Sequence, residues 1–340
     1  MSTESSILVS AHFPELETIR TVLSMATRAP SVHNSQPWRW RIGANSLHLY
    51  ADLDRHLPST DPDRRDLMLS CGAALHHCVV ALAAMGWQAK VRRFPNPADP
   101  KHLAAVKVRR HPATELDVTL AAAIPRRRTD RRHYSSWYVP AGDITVMGTR
   151  AASTGVILRE VNSLPKLQHI VAQAVWQHAT DADYHAELTT WSGQNASVAG
   201  VPARNIPPSD PTAPLPGRLF AGPALAQPPD TEPADDNAVV LALGTKDDTP
   251  LARLRAGEAT SLVLLTATAQ GLASCPVTEP LEIAETRDAV QTDVFGVSGF
   301  PQMLLRIGWA PANADPLPAT PRFRLGEVVE WLDGSRFDRL

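Results

Sequence analysis

Two long apolar segments of the chain share a pattern that limits its architecture. Residues 72–86 read Gly-Ala-Ala-Leu-His-His-Cys-Val-Val-Ala-Leu-Ala-Ala-Met-Gly, and residues 257–271 read Gly-Glu-Ala-Thr-Ser-Leu-Val-Leu-Leu-Thr-Ala-Thr-Ala-Gln-Gly. Each has glycine at both ends of a 14-residue interval and alanine two positions after the first glycine. Each predicts a buried helix followed by a strand. Either these are two unrelated core helices, or the chain carries an internal duplication, which the separate element patterns upstream of each helix favour.

The remaining periodicity predicts two runs of mixed helices and strands. The first run has helices at 14–27, 61–86 and 116–124, and strands at 39–42, 46–51, 88–94 and 104–108. The second has helices at 141–154, 164–191, 250–271 and 281–294, and strands at 156–161, 238–244, 274–277 and 302–309. Residues 192–236, called the insertion below, hold ten prolines and show no sustained period. So long an irregular segment is usually functional or disordered.

Composition bounds the class of protein. The 340 residues correspond to roughly two domain-sized units, and the net charge of -2 gives no electrostatic case for a nucleic acid or an anionic membrane as partner. The N-terminus lacks the pattern of a signal peptide, and the apolar run 78–87 is shorter than a bilayer span. We therefore expect a cytoplasmic protein. The three cysteines and 12 histidines show no metal-ligand spacing, and no GxGxxG or P-loop motif is present. We predict no metal site.

The next informative stretch is residues 28–38, Arg-Ala-Pro-Ser-Val-His-Asn-Ser-Gln-Pro-Trp. It lies between a predicted helix and a predicted strand, and it is dense in short polar side chains. Local chemistry leaves two interpretations open, a turn that caps its neighbours or a surface for a flat, heteroatom-rich ligand. The pattern APSxxNxQPW resembles the flavin-contacting loop of the nitroreductase family, FMN-dependent NAD(P)H oxidoreductases. The resemblance implies contacts to FMN from Arg28, Pro30, Ser31, His33, Asn34 and Gln36.

In that family the long apolar helix is the central one at a homodimer interface. The resemblance therefore implies an α+β, nitroreductase-like fold in which two pseudo-symmetric halves, residues 12–124 and 125–330, are fused so that the monomer mimics the family homodimer. This arrangement is similar to the Acg-like branch of the family. The candidate flavin residues form one complete set, so we expect one FMN per chain and a monomer.

A basic loop opens the second half, with five arginines in residues 126–132. Alone, such a charge run is more often a solvated face or a nucleic-acid contact, although guanidinium groups also match phosphate oxygens bidentately. The family's RRSxR motif, which binds the FMN phosphate and ribityl chain, is similar to Arg127-Arg128-Thr129-Asp130-Arg131. The family's closing basic pair is similar to Arg322 and Arg324, which would face one side of an extended segment. The resemblance thus adds Arg127, Arg128, Thr129, Arg131, Arg322 and Arg324 to the candidate FMN residues.

The loop after the second apolar helix completes the set. In the family this loop passes beneath the flavin, and a backbone N–H bonds the reactive N5 atom. Here Thr278 and Glu279 are the candidates for that contact. Many members continue Glu-Gly, whereas this chain has Pro280, which has no N–H to donate. This departure puts turnover at N5 in doubt.

Two function classes follow, and no side chain is assigned a catalytic role in either. As a flavin holder, the protein would bind FMN beneath the insertion, acting as a lid, with restricted turnover. As an enzyme, it would pass electrons from NAD(P)H through FMN to a nitroaromatic, a quinone or a similar small acceptor. The insertion could instead be a loosely attached surface loop. A third class, nucleic-acid binding through the arginine loop, would show binding that collapses steeply with salt.

Overall fold

The computed structural model describes residues 13–193, 197–210, 212–228 and 231–337. Its helices are α1 (Leu16–Ala26), α2 (Arg65–Ala84), α3 (Glu115–Ala123), α4 (Ala141–Ser153), α5 (Leu164–Ala179), α6 (Ala182–Thr190), α7 (Pro250–Ala269), α8 (Glu279–Glu282), α9 (Ala284–Val290) and α10 (Leu325–Val328). Its strands are β1 (Trp38–Ile42), β2 (Leu47–Ala51), β3 (Trp87–Arg93), β4 (His102–Arg110), β5 (Ile157–Glu160), β6 (Val239–Thr245), β7 (Ala273–Val277), β8 (Phe300–Gly308) and β9 (Val329–Trp331).

The two sheets have the same topology. The N-terminal sheet has the order β3-β4-β2-β1-β9, and the C-terminal sheet, taken from the corresponding edge, has the order β7-β8-β6-β5. All neighbours within these two sets of four strands are antiparallel. In each half, two strands precede a long helix and two follow it, and the predicted duplication of an α+β unit is therefore present in the fold.

The repeated glycines lie where the two central helices meet. A Cβ atom on Gly72 of α2 would stand 2.1 Å from the Leu254 carbonyl oxygen, and one on Gly257 of α7 would stand 2.1 Å from the Leu69 carbonyl oxygen. Only glycine allows the two backbones to approach this closely. The later glycines of the pattern, at positions 86 and 271, end the helices with φ of 78° and 85°, the left-handed conformation that favours glycine. The sequence repeat thus encodes a helix crossing and two helix ends.

Helix α2 is long and apolar enough to cross a membrane by length and composition, but 72% of its most apolar window is buried inside the protein. It packs between α7 and the N-terminal sheet, where Trp38, Trp40 and Ile42 of β1 alternate inward. Burial against these elements accounts for its hydropathy as that of a core helix.

Two elements differ from the predicted ones. The single helix predicted at 281–294 is broken, because Ile283 has the extended conformation, with φ of -107° and ψ of 129°. Strand β9 was not predicted, and it pairs in parallel with β1 of the other half. The same C-terminal segment places Arg322 beside the 28–38 loop, where its guanidinium donates to Asn34 Oδ1. The division into residues 12–124 and 125–330 stays a prediction, and the last residues of the second range lie in the N-terminal sheet.

The insertion has only short helical turns at Ala203–Asn205 and Pro233–Asp235 among its described residues. It is attached to the 28–38 loop, because the Asn34 side chain donates to the Gly200 carbonyl at 3.0 Å and the Gln36 side chain donates to the Val198 carbonyl at 2.9 Å. Residues 206–210 and 212–220 continue over a cavity between the two halves.

Candidate functional site

The 28–38 loop has an unusual backbone. His33, Asn34 and Gln36 have φ of 44°, 55° and 53°, a region that side chains other than glycine rarely adopt. The Trp38 amide donates to the Gln36 carbonyl at 2.9 Å across Pro37, which closes a tight turn before β1. Such strained conformations persist only where surrounding contacts hold them, and they cluster at functional sites.

The side chains of Asn34 and Gln36 supply those contacts. Arg322 donates to Asn34 Oδ1 at 2.8 Å, and the Phe323 amide donates to Gln36 Oε1 at 3.1 Å. The two side-chain amides also donate to the insertion, so each one ties the loop to two other segments. In this geometry both side chains position the loop, and contact of either with FMN stays a prediction.

A cavity of about 210 Å³ lies between the halves. Its walls come from the 28–38 loop, α2, the basic loop, the insertion and the turn between β7 and α8. Seven of the sequence-predicted residues line it: Pro30, Ser31, His33, Thr129, Arg131, Thr278 and Glu279. The structure therefore brings together residues from both halves of the chain.

The arginines of the basic loop lie in three different environments. Arg132 forms an ion pair with Asp130 at 2.9 Å, and both side chains are buried. Arg131 lines the large cavity and donates to the Asn205 carbonyl of the insertion at 3.3 Å. Arg127 and Arg128 turn the other way, into a second and smaller cavity.

This smaller cavity, called the arginine pocket below, has a volume of about 20 Å³ and is lined by Arg28, Arg127, Arg128 and Arg322. Within the described part of the chain, none of the four forms an ion pair with a carboxylate. Burial and the neighbouring guanidinium groups lower the pKa of Arg127 to about 10 and that of Arg322 to about 9. Two nitrogens of Arg127 and one of Arg128 are buried without a hydrogen-bond partner among the described residues. A bound anion would relieve both the repulsion and the missing hydrogen bonds.

Arg324 lies outside the arginine pocket. It is exposed, and its backbone amide donates to the Glu327 carboxylate at 2.8 Å at the start of α10. Arg324 does not line the arginine pocket with Arg322, although its own backbone is extended, with φ of -66° and ψ of 151°. Contact of Arg324 with FMN stays a prediction.

The turn after β7 places Thr278 and Glu279 at one wall of the large cavity. Glu279 is the first residue of α8, so its amide has no acceptor within that helix by position. Pro280 takes the second helical position, which tolerates its missing N–H. The Glu279 carboxylate is buried and accepts a hydrogen bond from His178 Nδ1 at 3.1 Å.

Arg218 of the insertion is the centre of a buried polar cluster. Its guanidinium donates to His33 Nε2 at 2.9 Å, to the Tyr184 hydroxyl at 2.6 Å and to the Thr278 hydroxyl at 3.2 Å. It also forms an ion pair with the fully buried Glu282 at 2.5 Å. Burial opposes its charge, but Glu282 and Tyr184 raise the pKa of Arg218 well above its ordinary value. Burial and the nearby Arg218 lower the pKa of His33 well below its ordinary value, which keeps His33 neutral as an acceptor.

Two further contacts attach the insertion over the large cavity. The Phe220 ring lies with its centroid 4.9 Å from the Arg131 guanidinium carbon and 5.8 Å from the His33 ring. His133 Nε2 lies 2.9 Å from the Asp210 carboxylate. The insertion is therefore fixed to both the 28–38 loop and the basic loop.

Comparison with known proteins gives the family. No protein-family model matches the chain. Over 323 residues it is 66% identical to "Putative NAD(P)H nitroreductase Rv3131" of Mycobacterium tuberculosis, covering 95% of this chain and 94% of that protein. Over 322 residues it is 38% identical to "Putative NAD(P)H nitroreductase acg" of the same species, covering 92% and 95%. The chain belongs to the nitroreductase family. Its fold is the nitroreductase fold in the fused form of the Acg-like branch.

Solved nitroreductase structures align with part of the chain. The crystal structure of a nitroreductase with bound FMN from Bacteroides fragilis NCTC 9343 is 15% identical and covers 58% of this chain and 90% of that chain, with a TM-score of 0.38. A nitroreductase with bound FMN from Desulfitobacterium hafniense DCB-2 is 13% identical and covers 63% and 98%, with a TM-score of 0.39. With TM-scores this low, these structures do not locate the site, and we describe it from the residues of this nitroreductase-family chain alone.

Sequence reasoning missed several residues of the site. Asp66 and Ser70 lie one helical turn apart on α2 and line the large cavity. Their spacing of four residues places them on one face of a helix and could have indicated a shared polar site. Arg218 and Phe220 lie in an aperiodic segment, where no pattern indicates which side chains point inward. Among the described residues, no cluster of three metal-ligating side chains is present, and the three cysteines are free and buried.

Proposed function

We propose that this nitroreductase-family protein binds one FMN per chain, covers it with the insertion and restricts its turnover, so that it sequesters or stores the flavin. The observation that carries this proposal is the arginine pocket beside a cavity covered by the insertion. The pocket offers the positive charges and donors that a phosphate needs, and the cavity lies beside it.

The arginine pocket has the properties that a phosphate site requires. A phosphate monoester carries about -1.5 to -2 charges and three acceptor oxygens at neutral pH. The unpartnered guanidinium nitrogens of Arg127 and Arg128 would find acceptors there, and Arg28 and Arg322 would add charge. A dianion bound among these guanidinium groups would replace their mutual repulsion with charge-assisted hydrogen bonds.

Chain continuity links the phosphate site to the ring site. One segment runs from Arg28 in the arginine pocket to Ser31 in the large cavity, and another runs from Arg128 to Thr129 and Arg131. A ligand with a phosphate at one end and a flat ring at the other follows both segments. Because one set of these residues is present among the described residues, we infer one flavin per chain in a monomer.

The attachment of the insertion supports restricted access. Opening it would separate Arg218 from Glu282 and would leave a fully buried carboxylate without its partner, a change that typically destabilises a protein by about 3–5 kcal/mol. The hydrogen bonds from Asn34 and Gln36 would also break. A gate that opened in every turnover would carry fewer buried contacts.

When bound, FMN supplies hydride-transfer chemistry, accepting a hydride and passing electrons onward. The alternative function is therefore an NAD(P)H-dependent oxidoreductase acting on nitroaromatics or quinones, which the names of the two relatives favour. In either case the residues of this chain orient the ring and exclude water. The burial of α2 and the balanced net charge fit a cytoplasmic protein with no nucleic-acid or membrane partner.

Stopped-flow absorbance of the FMN-loaded protein separates the two functions. Anaerobic mixing with dithionite should bleach the flavin band, and mixing with NADPH at the same pH should bleach it at least about 100-fold more slowly. NADH serves as a second reductant, so that nicotinamide preference is not mistaken for exclusion. Rapid bleaching by either nucleotide would contradict sequestration and would establish the oxidoreductase.

A further inference from the structure

Asp66 is a buried carboxylate with no role in the site described so far. It lies in the first turn of α2, is 2% exposed and lines the large cavity beside Ser70. Neither of its carboxylate oxygens has a hydrogen-bond partner among the described residues. A buried carboxylate usually collects several hydrogen bonds, so this one is unusually free to bind a proton or a ligand.

Arg65 carries the nearest positive charge to Asp66, but it also binds another group. One guanidinium nitrogen of Arg65 lies 2.9 Å from the Asp66 carboxylate, while another donates to the Gln302 carbonyl on β8. The Ser70 hydroxyl donates a hydrogen bond to the Asp66 main-chain carbonyl at 2.6 Å and accepts one from the Val32 amide at 3.1 Å. The carboxylate is therefore held by one ion pair, and both of its oxygens are buried in the wall of the cavity.

The duplication supplies an internal comparison. The paired glycines of α2 and α7 are 185 positions apart, at 72 and 257 and at 86 and 271. The same offset aligns Asp66 with Leu251, which is 36% exposed. The packing of a central helix therefore does not require a carboxylate at this position. Both central helices line the cavity, but only α2 has a carboxylate at this position.

The charges around Asp66 favour its protonated form. Burial raises the pKa of Asp66 to about 8, Arg65 and Arg218 lower it in part, and Asp61 and Glu282 raise it. These groups come from α2, the preceding loop, the insertion and α8, and the neutral His33 lies in the same cavity wall. A further negative charge in the cavity would raise this pKa again.

We propose that Asp66 is a proton-binding group coupled to the redox state of the flavin, taking up one proton from solvent at alkaline pH when the ring in the cavity gains two electrons. The electrons come from the reductant, and the proton converts the Asp66 carboxylate to a carboxylic acid. This proton is additional to any hydrogen that the ring itself gains, and no bond forms between Asp66 and the flavin. Reoxidation releases the same proton. This proposal rests on FMN binding in the large cavity, and it applies whether turnover is fast or restricted.

The test is the midpoint potential of the bound flavin, measured by spectroelectrochemistry from pH 6.5 to pH 10 on the wild type and on Asp66→Asn. Above about pH 8, where Asp66 is ionised beside the oxidised flavin, the wild-type potential should fall more steeply than that of Asp66→Asn. One extra proton per two electrons corresponds to about 30 mV per pH unit. Glu258→Gln is the matched control, because Glu258 is a buried carboxylate on α7 that pairs with Arg93 and does not line the cavity. It should keep the wild-type slope.

Infrared difference spectra of the wild type keep the test independent of the variant's folding. Reduction at pH 9 should produce a carbonyl band of a protonated carboxylic acid. Equal slopes in the wild type and Asp66→Asn, or no such band in the wild type, would overturn the role of Asp66 while leaving the flavin site intact. Failure of the wild type to retain FMN would instead overturn the proposed function, on which this role depends.

Discussion

The helix crossing at Gly72 and Gly257 gives the sharpest prediction about the fold. In Gly257→Ala the new methyl group would lie 2.1 Å from the Leu69 carbonyl oxygen and 2.8 Å from the Leu69 Cα atom. An ordinary C···O contact is about 3.3 Å, so the two helices must separate by about 1 Å. The obstructing atoms are backbone and cannot move aside as a side chain does. We therefore expect a loss of about 3 kcal/mol, the upper end of the usual range for overpacking.

The assay is thermal unfolding of the variant beside Gly148→Ala. Taking about 2.1 cal/mol/K per residue, a loss of 3 kcal/mol lowers the melting temperature of a 340-residue chain by about 4 °C. Gly148 lies in α4, where a Cβ atom would make only an ordinary contact at 3.9 Å. Alanine there should stabilise the helix by about 1 kcal/mol. A melting temperature of Gly257→Ala at or above the wild-type value would refute the close crossing of the halves.

Three further predictions concern the site. Arg218→Ala should release the insertion and raise the rate of flavin reduction by NADPH at least about tenfold in stopped-flow measurements, and an unchanged rate would count against a fixed cover. Arg127→Ala should weaken FMN binding by about 10- to 100-fold, the value of a lost hydrogen bond between charged groups, whereas the exposed Arg324→Ala should change it less than about threefold in a fluorescence titration. Asp66→Asn should unfold at a higher temperature than the wild type at pH 9 and at nearly the same temperature at pH 4. The sign follows because the pKa of Asp66 in the folded protein exceeds its unfolded value of about 3.9, so the folded state loses stability as the pH rises towards the folded pKa. Equal shifts in melting temperature at both pH values would contradict this prediction.

Much of the fold could be predicted from the sequence because the local sequence pattern of most helices and strands agrees with the structure they adopt. Strand β1 begins at Trp38, one residue before the predicted start, and ends at the predicted Ile42. The two glycine-bounded segments lie in the two central helices, and the same strand order surrounds both. Strand β9 could not be predicted, since three residues carry almost no periodic signal and the pairing partner is about 290 residues away in the chain.

The site residues that lie within a short sequence motif could be predicted. The arginine motif and the 28–38 loop supplied six residues that line the large cavity and three that line the arginine pocket. Alternation did not place Arg324 in the arginine pocket with Arg322, although the backbone of Arg324 is extended. Arg218 was missed for a different reason. Its partners are the distant His33, Tyr184 and Glu282, and no local pattern records contacts that only the folded insertion creates.

The most direct test of the account is the number of FMN molecules bound per chain. Purified protein is loaded with excess FMN and freed of unbound flavin, and the flavin released on denaturation is then measured against the protein concentration. We predict one FMN per chain, lost in the double variant Arg127→Ala/Arg322→Ala and retained in Arg324→Ala. Two FMN per chain would contradict the single complete site of the fused halves, and none would contradict the flavin site itself.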